Sequence, residues 1–147
     1  MAERSDIAKQ AGRTHLEEAR RLITVSAIRT DDAGEIADAV QSICSRIIDH
    51  LEPLISLRAA QALLARAVHL SKPKFKMLDE ISTAEAQVGD IARALVVRLR
   101  SGEPRQTLAA AEQVLGNFIW LLTRFMGDDF TLRLSREACP DRDEEPQ

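Results

Sequence analysis

Apolar residues recur at intervals of three and four along almost the whole chain, and the breaks between these runs fall at capping residues. The spacing predicts a first helix over 6–28, capped by Ser5, with Leu16, Ala19, Ile23 and Ala27 on one face. "RTDDAGE" interrupts it, and Asp32 with Glu35 forms a capping-box pattern. A second helix follows with the stripe Ile36, Val40, Ile43, Ile47 and Leu51, and ends before Pro53, which cannot donate the helical bond. A third runs to about Leu70, with Leu57, Leu64 and Val68 on one face and Ala60, Leu63, Ala67 and Leu70 beside it.

"SKPKFKMLDEIS" breaks the periodicity, and Phe75, Leu78 and Ile81 suit one short helical turn. Ser82 and Glu85 make the clearest capping box, opening a helix with Val88, Ile91, Leu95 and Leu99 that Gly102 closes. Pro104 suits the first turn of the next helix, whose seam is Leu108, Ala111, Leu115, Phe118, Leu122 and Phe125. Gly127 stops it, and Asp128 or Asp129 is expected to cap a final segment. There Phe130, Leu132 and Leu134 alternate as in a strand, but no second strand exists to take up its backbone bonds. Helix is therefore expected at 130–134.

Together these elements predict an all-α fold, a single-domain bundle of five to six amphipathic helices over residues 1–140. An acidic disordered tail is expected at 141–147. Trp120 and three of the four phenylalanines fall between residues 116 and 134. A helix apolar most of the way round must be buried on more than one side. It is expected to be the central helix, or to give part of its surface to a partner or homodimer interface through Phe118, Trp120, Leu121 and Phe125. The longest apolar run, Phe118 to Leu122, is far below the ~20 residues of a spanning helix.

Composition narrows the function classes. The chain is 45% hydrophobic and carries a net charge of −3, so it is apolar enough to fold and has no overall attraction to nucleic acid or anionic lipid. "MAERSDIAKQ" lacks an apolar leader core, and Cys44 and Cys139 share no motif; both point to free thiols in a cytoplasm, and a bacterial protein is expected.

Two stretches resemble known families. "SDIAKQAGRTHLEEARRLI" is similar to the helix-turn-helix of LacI-type and TetR-type repressors, with Ile7, Ala8, Ala11, Gly12, Thr14 and Leu22 in matching places. The resemblance implies DNA binding, as a degenerate helix-turn-helix regulator. Arg13, Glu18 and Arg21 depart from it at positions the family fills with apolar side chains, and Glu17 and Glu18 would face phosphate with the wrong sign. "AVHLSKPKF" resembles histidine-phosphotransfer domains, in which a phosphoacceptor histidine precedes lysine by three residues, as His69 precedes Lys72. Pro73 stands where that family keeps a small residue and continues its helix.

The remaining chemistry is sparse. His15, His50 and His69 have no ligand at helical spacing, so no metal or haem site is expected. The doublets Asp31-Asp32, Asp79-Glu80 and Asp128-Asp129 fall at helix breaks, where capping accounts for them. "KPKFKM" reads as a solvated basic loop. No catalytic residue, cofactor or membrane partner is expected. The sequence points to a non-enzymatic helical protein, regulatory in its setting, that acts by protein contact and self-association. The alternative is a signalling or sensing domain, relaying phosphate through His69 or holding a small ligand between helices.

Overall fold

Asp32 opens the second helix as its spacing from Glu35 predicts: its carboxylate accepts the Glu35 backbone N–H at 3.1 Å. In the computed structural model, which describes residues 15–84 and 89–141, such local signals place nearly every element. Among the described residues there are six α-helices and no strand. They are α1 (15–26), α2 (Ala33–Leu51), α3 (Leu57–Ser71), α4 (Ile91–Arg100), α5 (Pro104–Met126) and α6 (Asp128–Ala138), with a 3-10 turn at Lys76–Leu78. Ser5, the residues 6–14 of the predicted first helix and the tail from 142 lie outside the described residues.

The bundle is built around α5, which packs against α2, α3, α4 and α6. It also meets α1, running antiparallel to it: Arg20 pairs with Glu112 at 3.1 Å, while Leu16, earlier in α1, lies against Gly116, later in α5. A Cβ on Gly116 would already sit 3.4 Å from Leu16 Cδ2, so the missing side chain lets the two helices approach closely. The α2 stripe Ile36, Val40, Ile43, Ile47 and Leu51 is buried throughout, as its periodicity requires. Each such side chain removes apolar surface from water, at about 25 cal/mol per Å².

The turn from α4 to α5 is fixed by side chains. Glu103 accepts the N–H groups of Arg105 and Gln106, Pro104 occupies the first turn, and the Thr107 hydroxyl donates to the Leu99 carbonyl at 2.8 Å.

Three local expectations change. The fourth helix starts at Ile91, not directly after Ser82; among the described residues the Ser82 hydroxyl accepts the Ala84 N–H, and Glu85 and Val88 lie outside the described residues. In α3 the buried stripe is Ala60, Leu64, Ala67, Val68 and Ser71, which leaves Leu57 and Leu70 exposed. Neither Asp128 nor Asp129 caps α6 by a side-chain bond. Both stand in its first turn instead, where the positive end of the helix dipole favours carboxylates. Residues 130–134 are helical, as the lack of a partner strand requires.

Candidate functional site

The aromatic-rich stretch divides between core and surface. Phe118 is completely buried and belongs to the core, so it offers nothing to a partner. Ile119 and Leu122 are buried beside it. Trp120 and Leu121 are half-buried, and the Arg124 guanidinium lies over the indole ring, 5.0 Å from its centroid. Phe125, in the last turn of α5, is 64% exposed. Internal helices therefore cover most of the circumference of α5 predicted to reach a second copy. On α5 itself the exposed large apolar side chain is Phe125, near its C-terminal end; Ile28, Leu54, Val97 and Leu132 are exposed on other segments.

Gly127 turns the chain out of α5 with φ 93° and ψ 162°, a region almost closed to side chains bearing a Cβ. α6 then turns Thr131, Leu134, Ser135 and Ala138 inward. Asp128, Leu132 and Arg136, at i, i+4 and i+8, form one exposed stripe, with Leu132 46% exposed. Sequence reasoning places a helix here but does not single out Leu132, because Phe130, Leu132 and Leu134 are all apolar and the pattern does not say which of them faces outward. The four-residue spacing of the flanking charges is the clue that could have found it.

Two of the residues that break the helix-turn-helix pattern have a structural use. Arg21 of α1 donates to Glu18 at 2.8 Å, to Asp141 at 2.8 Å and to the Cys139 carbonyl at 3.0 Å. The Ser135 hydroxyl of α6 donates to the same Glu18 oxygen. Burial works to raise the Glu18 pKa, but the bonds from Arg21 and Ser135, with the charges of Arg21 and Arg136, outweigh it and hold the carboxyl below its ordinary range. Glu18 thus faces α6 and not solvent. Residues 15–26 form one continuous helix, while Ile7, Ala8, Ala11, Gly12, Arg13 and Thr14 lie outside the described residues.

Buried His15 adjoins the same region. Burial lowers its pKa, the charge of Asp128 partly opposing, and its Nδ1 has no hydrogen-bond partner among the described residues. His69 is exposed in the last turn of α3, and Lys72 is the capping residue that follows. The helix ends before Pro73, so proline interrupts nothing.

Cys44 and Cys139, remote in sequence, are both free and buried. Burial, with a further contribution from Cys139, pushes the Cys44 thiol up to about 12, which leaves it protonated and unreactive. Among the described residues, no three His, Cys, Asp or Glu side chains gather as a metal site, and no helix is long and apolar enough to cross a membrane.

A cleft of about 600 Å³ opens between α4 and the segment before it, lined by Glu80, Ser82, Asp90, Arg93, Val97 and Arg98. Arg98 is already engaged: its Nε donates to the Met77 carbonyl at 2.6 Å and its Nη1 stands 3.4 Å from Glu80. Its two arginines and two carboxylates balance, so the cleft has no strong preference for either sign of ligand charge. Compared with protein families, curated proteins and solved structures, the chain matches none.

Proposed function

We propose that this chain is a non-enzymatic helical protein that acts by protein–protein contact, with self-association as its mode. The observation that carries the reading is that the last two helices leave large apolar side chains open. α5 leaves Phe125 64% exposed one turn beyond half-buried Leu121, and α6 leaves Leu132 46% exposed. Aromatic side chains displayed on a rigid helix make effective anchors, because little entropy is lost when they are covered. Light scattering coupled to size-exclusion chromatography tests the reading. The expected result is a mass above that of one chain that grows with loading concentration.

A second reading, small-ligand binding, is supported by the cleft beside α4. The ligand would place an apolar group on Val97 and polar groups near Arg93 and Ser82. NMR spectra recorded against a library of small metabolites test it; shifts confined to these residues are expected, and an unchanged spectrum throughout contradicts it. Phosphotransfer through His69 has only the exposure of that side chain in its favour.

A further inference from the structure

We infer that the outward stripe of α6 is a self-complementary docking surface for a second copy of this chain, packed antiparallel about a two-fold axis through Leu132. The inference rests on the self-association proposed above and names its surface. Asp128 and Arg136 stand four residues to either side of Leu132, and all three are exposed. Laid antiparallel on a copy of itself, the stripe brings Leu132 against Leu132, Asp128 against Arg136 of the second copy, and Arg136 against the second copy's Asp128. A two-fold interface uses the same patch on both subunits, so every contact occurs twice.

The charges are available for this. Asp128 and Arg136 form no salt bridge among the described residues, their charges acting on His15 and Glu18 only without direct pairing, whereas Arg20, Arg21, Arg29, Arg98 and Arg100 each form at least one. The neighbouring exposed row, Asp129, Arg133 and Glu137, is not complementary to itself. Antiparallel pairing there would set Arg133 on Arg133 and Asp129 on Glu137, and like charges across an interface repel. The charge pattern therefore selects one of the two exposed rows of α6.

The interface is small. Eleven residues at ~1.5 Å each give a helix about 16 Å long. Contacts of this size support weak, reversible pairing.

Charge reversal tests the arrangement. Asp128→Arg and Arg136→Asp are made in separate full-length chains, and self-association is measured by sedimentation velocity from low micromolar to near-millimolar concentration. Each variant alone should dimerise at least tenfold more weakly than wild type, because its own copies then repel. An equimolar mixture should recover dimers, since the introduced arginine of one chain meets the introduced aspartate of the other and the remaining pair is likewise opposite. Thermal melts of both variants verify the fold, and recovery on mixing cannot come from unfolded chains. If wild type dimerises and both variants dimerise equally well, the α6 surface is wrong while self-association stands. Wild type that stays monomeric throughout removes both.

Discussion

The Ser135 hydroxyl of α6 donates to the Glu18 carboxylate of α1, joining residues 117 positions apart at the seam where the last helix meets the first. The same oxygen receives the Arg21 guanidinium, so one carboxylate satisfies two donors from two helices. Their side chains are mostly shielded, Glu18 15% and Arg21 23% exposed, which lifts the pair above the small worth of surface bridges.

Replacing Glu18 by Gln should leave Arg21 and Ser135 with a neutral acceptor. The expected loss is about 1–3 kcal/mol of stability, read by urea denaturation. A change within error of wild type would mean that the Glu18 cluster contributes no more than solvated surface charge.

Gly127 offers a cleaner case. A Cβ there meets none of the described residues within 4 Å, so space is no objection to alanine. The backbone conformation is, at φ 93°. Gly127→Ala should cost about 1–3 kcal/mol through strain alone, measured as a lowered denaturation midpoint. An unchanged midpoint would show that the junction between α5 and α6 relaxes freely.

Stability should fall as pH drops below about 6.5, first because of His15. Burial lowers its pKa in the fold, with Asp128 partly opposing, so the unfolded chain takes up the proton more readily. The contribution is full above the unfolded value and declines as acid is added. Glu18, whose pKa is also lowered in the fold, adds a second loss below its ordinary value of 4.5. Denaturation midpoints at pH 7.5 and 5.5 for wild type and His15→Leu check the first part. The variant should show a flatter profile across this window; equal slopes would assign the dependence to other groups.

The two phenylalanines seven residues apart should behave oppositely. Phe118→Ala removes a fully buried ring and should cost about 3–5 kcal/mol of stability. Phe125→Ala removes one that is 64% exposed, and should leave melting nearly unchanged while weakening self-association. A large melting shift for Phe125→Ala would make it a packing residue and withdraw its role as an anchor.

The helices were legible because their signals are local. Asp32, Pro104 and Gly127 act on neighbours within a turn, and the α2 stripe needs nothing beyond its own period. What the sequence hid is long-range. Glu18 and Arg21 read as misplaced charges until α6 supplies Ser135 and the chain beyond it supplies Asp141. Cys44 and Cys139 read as unrelated until folding encloses both. Phe118 and Phe125 occupy one seam with identical credentials, and only the reach of the neighbouring helices decides which is covered. Leu57 and Leu70 fail for the same reason at the two ends of α3.

Self-association is the central claim, and sedimentation equilibrium of the wild-type chain tests it most directly. One chain weighs 16.3 kDa. Over a concentration series reaching roughly 1 mM, the weak end of measurable affinity, the weight-average mass should climb from that value toward twice it. A mass that stays at one chain across the whole series would contradict the account.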